Sequence, residues 1–217
     1  KAQYPVGVDK EGKPVIGVFA NRTHEIIPIE NCLIQDEQTE KIAKYLVKYI
    51  EENHISIYNE NTRKGLIRHI VTKIGKRTNE IMVIIVINGD KIPEEEKIVE
   101  KLTHEFPNIK TIVKNINKKN TNVILGEKNI TLYGEGYIKD ELGDLTFKIS
   151  PLSFYQVNPV QAEKLYTIGV ESANITKEDI VFDLYCGIGT ISLFMAKYAK
   201  KVYGIQIVKQ AVEDAIE

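Results

Sequence analysis

Seven consecutive residues, Asp183-Leu184-Tyr185-Cys186-Gly187-Ile188-Gly189, carry the densest chemical signal in this sequence. They sit between an apolar run at 179–184 and a helical pattern at 189–198, which predicts a strand, a tight turn and a helix. The glycines let a ligand approach the backbone at the carboxyl edge of a sheet, and the helix that follows offers free N–H groups. Two ligand classes use such a turn. A dinucleotide fingerprint wants a third glycine for close helix–strand packing, and that position here is Ser192. It also rests a pyrophosphate on the helix N-terminus, and Asp183 would repel it. The same carboxylate suits a ligand with an ammonium group and a sulfonium. Asp183, Gly187 and Gly189 are therefore read as binding S-adenosylmethionine. The plainer alternative is that the two glycines only shape a tight βα turn, since Gly-x-Gly patterns are common.

About twenty residues after the glycines such domains usually place a carboxylate on the ribose hydroxyls. Here that position is Gln206. A carboxamide accepts one such bond and donates another, but without charge assistance it should hold the sugar more weakly. Cys32 and Cys186 lie too far apart to read as a metal knuckle or redox pair. A disulfide between them is not expected in a reducing compartment. Cys186 has no lysine or arginine beside it, so it reads as a packing residue rather than a nucleophile.

These residues need elements to position them. Residues 159–173 form a proline-started helix, 179–184 a strand, 189–198 a helix, 201–205 a strand, and 208 onward a helix. That order predicts parallel pairing in a doubly wound sheet. Before Pro151 the pattern is α+β. Strands are expected at 15–20, 26–29, 66–74, 81–87 and 109–117, with helices at 35–53 and from Pro93. A hairpin turn is expected at Thr78-Asn79. The alternating 66–74 strand should show one face to water, and the wholly apolar 81–87 strand should be central. The domain boundary is placed near Pro151, giving domains 1–150 and 151–217.

The chain has 217 residues, 43% hydrophobic and 27% charged, ordinary for a soluble globular protein. Its net charge of −1 gives no bulk electrostatic argument for nucleic acid. No apolar run approaches the ~20 residues that span a bilayer, so no membrane partner and a cytoplasmic location are expected. The chain starts at Lys1 and stops at Glu217 inside an apparent helix, so both ends are expected to be cut.

The run Phe154-Tyr155-Gln156-Val157-Asn158, then a helix, then residues 182–190, then Val202-Tyr203-Gly204-Ile205-Gln206 resembles the RNA uracil-5-methyltransferases. Upstream, Gly65-Leu66-Ile67-Arg68-His69 and Asn31-Cys32-Leu33-Ile34-Gln35 resemble that family's central-domain signatures. The likeness covers essentially the whole chain. It implies an α/β fold: an α+β central, RNA-binding domain, then the N-terminal half of a Rossmann-like methyltransferase domain. It implies that Gln156 contacts the cofactor, that Tyr185 lies along it, and that Gln206 replaces a ribose-binding glutamate. Cys32 matches the last of four cysteines that hold an iron–sulfur cluster in many members. The other three would precede Lys1, so the cluster is not expected in this chain.

The resemblance also implies a reaction. Carbon 5 of uracil is a poor nucleophile, so a cysteine thiolate adds to carbon 6 and the resulting enolate attacks the methyl sulfonium. A base then removes the carbon 5 proton and the thiolate leaves. The target base is first flipped out. In the family the nucleophile and base come later in the chain, so no catalytic residue is expected here and this piece alone should be inactive. The expected substrate is a uridine of 23S ribosomal RNA ahead of tRNA, and the expected state is a monomer. Arg63, Lys64 and Arg68 are the best candidates for RNA phosphate contacts. The clusters Lys73, Lys76, Arg77 and Lys114, Lys118, Lys119 read as solvated patches, and His69 as packed on the sheet. Two alternatives remain: another S-adenosylmethionine-dependent methyltransferase, or a non-catalytic RNA-binding module with a relic cofactor fold.

Overall fold

The computed structural model describes residues 1–216. It contains two compact units: Lys1–Ile74 with Ile81–Gly136, and Gly75–Glu80 with the chain from Tyr137 onward. The division after Gly136 falls earlier than Pro151, because the strands between these positions group with the later chain. Among the described residues no helix is long and apolar enough to cross a membrane.

The first unit contains β1 (Ala2–Val8), β2 (Pro14–Phe19), β3 (Ile26–Pro28), α1 (Glu37–Glu52), β4 (Ile67–Ile74), β5 (Ile81–Ile87), α2 (Glu95–Glu105), β6 (Ile109–Ile116) and β7 (Lys128–Tyr133). Its seven-stranded sheet runs β3-β2-β1-β4-β5-β6-β7. Only β5 and β6 pair in parallel, as the α2 crossover between them requires. Asp36 caps α1 by accepting from the Gln38 N–H at 3.0 Å. The stripe Ile42, Leu46, Tyr49, Ile50 then packs into one core with Tyr4, Ile70, Val83 and Ile85. β5 lies inside the sheet and is buried at every residue, as its wholly apolar run predicts. Glu94 takes a left-handed conformation and α2 starts at Glu95, slightly later than Pro93 suggests.

Two features depart from expectation. β1 was not foreseen, because Pro5 and Gly7 interrupt its pattern. Its residues 2–5 pair with β4 and residues 6–8 with β2, so Pro5 sits at the changeover, where a strand tolerates a missing N–H. β4 does not leave a face to water: Arg68, Thr72 and Lys73 are all buried. Polar side chains on the inner strands of this sheet are held by specific partners. Lys114 pairs with Glu95 at 2.6 Å, and the Asn115 amide donates to the Gly126 carbonyl and to Asn129, each at 2.8 Å. Gly65, which precedes β4, has φ +104°, and a Cβ there would lie 1.9 Å from the Ile57 carbonyl oxygen.

The second unit contains β8 (Ile138–Leu142), β9 (Leu145–Ile149), α3 (Pro159–Ser172), β10 (Ile180–Asp183), α4 (Thr190–Ala196), β11 (Lys201–Gly204) and α5 (Lys209–Ile216). The expected helical context of Glu217 lies outside the described residues. β8 and β9 form a hairpin, and β10 and β11 pair in parallel. The turn 75–80 joining β4 to β5 belongs here. Within it Asp140 accepts from the Arg77 N–H at 2.9 Å, Arg77 pairs with Glu163 at 2.6 Å, and the Thr78 hydroxyl donates to the Lys139 carbonyl at 2.6 Å. Buried Asp214 ties α5 to the loop after β9, accepting from the Ser150 hydroxyl at 2.7 Å and from the Ser153 hydroxyl.

Candidate functional site

Parallel register sets Asp183 beside Gly204, and the Ile205 N–H donates to the Asp183 carbonyl at 2.8 Å. The strand ends of β10 and β11 therefore meet at one edge. Between them the chain turns through Gly187 (φ +58°) and Gly189 (φ +81°), closed by the Gly189 N–H on the Cys186 carbonyl at 2.8 Å. The left-handed φ values explain the glycines. A Cβ on Gly187 would meet nothing within 4 Å, so the space over this turn is open. Tyr185 stands 92% exposed on the same loop.

The Asp183 carboxylate is oriented by Ser192, whose hydroxyl donates to it at 2.6 Å. Ser192 was legible only as the absent third glycine, and its role as a positioning group was missed. The signal was a hydroxyl two residues into the helix after the turn. Thr190 was missed too: its hydroxyl lies 3.1 Å from the Tyr166 hydroxyl and ties α4 to α3.

Gln206 follows β11. Its side-chain oxygen accepts from the N–H groups of Ile207 at 2.8 Å and Val208 at 3.1 Å, capping the entry to α5. Both lone pairs are thus used. The carboxamide has only its NH2 to offer a ligand, which corrects the expectation that it would both accept and donate. Gln156 is half-buried in the extended segment before α3. Asp183, Tyr185, Gly187, Gly189 and Gln206 come together at the strand edge, and no hydrogen bond among the described residues ties Gln156 to them.

Cys186 packs against β11: a Cβ on Gly204 would fall 2.9 Å from its sulfur. Burial, and then the charge of Asp183, push its thiol up from the usual cysteine value. A thiol held protonated is a poor nucleophile.

In the first unit, Arg63 (φ +58°) and Lys64 are exposed, their backbone closing a turn onto Asn59. Arg68 does not fit a surface phosphate contact. It is 3% exposed, its guanidinium donates to the carbonyls of Asn117 (3.0 Å) and Lys119 (2.9 Å), pairs with Glu60 (3.0 Å) and lies over the Tyr58 ring. Lys118 and Lys119 are exposed but paired with Asp90 and Glu127. Cys32 is half-buried, with its N–H on Glu40 at 3.0 Å. The chain's two cysteines do not supply the four thiolates of an iron–sulfur cluster, and the residues present do not fit one.

A mixed α/β fold with a glycine turn at the meeting point of two parallel strands is an arrangement that binds small ligands at its carboxyl edge. The chain belongs to the tRNA (uracil-5-)-methyltransferase family, whose model matches residues 11–217. It is 46% identical over 215 residues to an "uncharacterized RNA methyltransferase" of Staphylococcus aureus (strain MSSA476), covering 99% of this chain and 48% of that protein. A protein of the same description from Oceanobacillus iheyensis is 47% identical over 216 residues, covering 99% of this chain and 47% of its own. The chain thus spans about half the length of the curated relatives it matches. Among solved structures it resembles the Pyrococcus abyssi tRNA (uracil-54, C5)-methyltransferase in complex with S-adenosyl-L-homocysteine. There the TM-score is 0.77 and the identity 26%, over 99% of this chain and 50% of that one.

Proposed function

We propose that this chain contributes the cofactor-binding edge and an RNA-binding domain to an S-adenosylmethionine-dependent RNA methyltransferase acting on carbon 5 of a uridine. The observation that carries the reading is the turn at Asp183–Gly189: open space over Gly187, an exposed Tyr185, and a carboxylate held in place by Ser192. The family assignment and the ligand named for the Pyrococcus abyssi neighbour support it.

The residues fit that cofactor. S-adenosylmethionine supplies an electrophilic methyl group when bound. Asp183 offers a fixed negative charge to its cationic half, Tyr185 a flat apolar face, and Gln206 an N–H to a ribose oxygen. Gln156 would close the site from the segment before α3. Neither Cys32 nor Cys186 suits the covalent step, so we place nucleophile and base outside these residues and expect the chain alone to be inactive. The exposed apolar side chains of β10 and β11 support further βα units completing a Rossmann-like sheet. In this reading the cofactor-binding motifs begin after Pro151, inside the unit that starts at Tyr137.

The substrate is a uridine in 23S ribosomal RNA or in tRNA; in vitro methylation of each RNA by the protein carrying these residues separates the two. Calorimetry with S-adenosylhomocysteine tests the cofactor site. Binding is expected to weaken about tenfold in Asp183→Asn, the loss of one charge-assisted contact. No detectable binding would overturn the assignment. A non-catalytic RNA-binding module is the second reading, favoured by the uncharged Gln206; methyl transfer to either RNA would exclude it.

A further inference from the structure

Away from the glycine turn, the first unit holds a cleft of about 450 Å³, within the usual range for small-ligand sites. Phe19 at the end of β2 contacts His24 edge-to-face at 5.8 Å and His69 on β4 at 6.3 Å, and all three rings line the cleft. Exposed Arg22 and Asn122 also line it. Two buried polar atoms of the lining, His69 Nδ1 and Arg68 Nε, have no hydrogen-bond partner, and His69 is only 5% exposed. Leaving a buried polar atom unpaired is costly, so such a pair calls for an explanation.

The chemistry narrows the ligand. Burial, and then the charge of Arg68, lower the His69 imidazole to about 4, so the ring is neutral near pH 7 and offers one donor and one acceptor. The two terminal nitrogens of the Arg68 guanidinium are already committed to two carbonyls and Glu60, which leaves its Nε as a further donor. The interior therefore suits a flat neutral group with a hydrogen-bonding edge, while Arg22 supplies a free-standing positive charge. A second cleft shares Phe19, His24, Glu60 and Arg68 and extends to Tyr58 and Asn61, which gives the groove a direction.

We infer that this cleft holds one unpaired nucleotide of an RNA strand, its base against Phe19, its edge toward His69 and Asn122, and its phosphate on Arg22. The choice of RNA as the polymer rests on the function proposed above. Aromatic faces with carboxamide edges are how unpaired bases are read, whereas duplex RNA hides those edges.

The test is a titration of a short single-stranded RNA carrying 2-aminopurine with the full chain. Stacking should quench the probe, and a duplex of the same sequence should not compete. Base stacking is worth ≈1–3 kcal/mol by alanine substitution, so Phe19→Ala should weaken binding by roughly 5- to 150-fold. Asn122→Ala should weaken it less, by about fivefold. Both residues are outside the core, so thermal melts should match the parent even where His69→Ala fails to fold. Unchanged affinity in Phe19→Ala and Asn122→Ala, or no RNA binding by the parent, overturns the inference. Calorimetry with S-adenosylhomocysteine on the same proteins separates the two ideas. Loss of RNA affinity with cofactor binding intact supports the cleft. Absent cofactor binding with the cleft effect intact sinks only the methyltransferase reading.

Discussion

β5 and β10 are both short strands that begin on an apolar run, yet they end in opposite environments. Every residue of β5 is buried, whereas Ile180 and Phe182 of β10 are 55% and 61% exposed. β5 has a hydrogen-bonded neighbour on each edge and shares one core with residues of α1 and α2; β10 has a single strand neighbour, β11, with Phe182 stacked on Tyr203 at 5.2 Å, and meets α4 through Ser192. Burial is thus conferred by neighbours, not by hydropathy of the strand itself. The glycines tell the same story. Around Gly65 backbone fills the place of a Cβ; around Gly187 that place is empty. One glycine serves packing, and the other serves access.

Substituting both glycines sharpens that contrast most. Gly65→Ala should destabilise the first unit by about 4 kcal/mol or more, since backbone must move as well as adopt a strained φ. Gly187→Ala should cost only ~1–2 kcal/mol of conformational strain while weakening S-adenosylhomocysteine binding. Urea denaturation and calorimetry read the two effects; equal stability losses would break the contrast. A core truncation comes next. Leu46→Ala should cost about 2–5 kcal/mol, and Phe182→Ser less than ~1, because Phe182 is already largely in water.

Acid should act on the first unit through His69. Its folded value near 4 lies below the ordinary 6.5, so between these values the unfolded chain binds the extra proton. Stability is full above pH 6.5 and declines as pH falls toward 4. Replacing His69 with Gln should flatten that decline in denaturation midpoints recorded across the window; an unaltered slope would assign it to other groups. The smallest effect is at Gln206. Gln206→Glu keeps an acceptor for the entry to α5 and adds charge facing the ribose, so affinity for S-adenosylhomocysteine should rise about three- to tenfold by calorimetry.

Sequence periodicity was enough for α1, for the β4–β5 hairpin and for the alternation of strand and helix after Pro159. These patterns report local geometry and one buried face. β1 escaped because Pro5 and Gly7 speak against a strand, and only pairing with β4 and β2 overrides them. The burial of β4 was hidden for a similar reason: Arg68 looks like a surface residue until the distant carbonyls of Asn117 and Lys119 are brought to it. At the candidate site, residue types pointed to the glycine turn, but the direction of the Gln206 amide and the hold of Ser192 on Asp183 depend on the turn's actual path.

The turn at 75–80 gives the protein an unusual chain economy. The backbone passes between the two units at 74–75, at 80–81 and again at 136–137. A proteolytic nick after Gly136 would therefore leave both pieces joined, because the second unit keeps a loop spliced in from earlier sequence. Conversely, a polypeptide begun at Tyr137 would carry Asp140 inward without the Arg77 N–H that answers it, and would lose the clasp on Lys139 and Glu163. Neither half is a module that evolution could trade by a single cut.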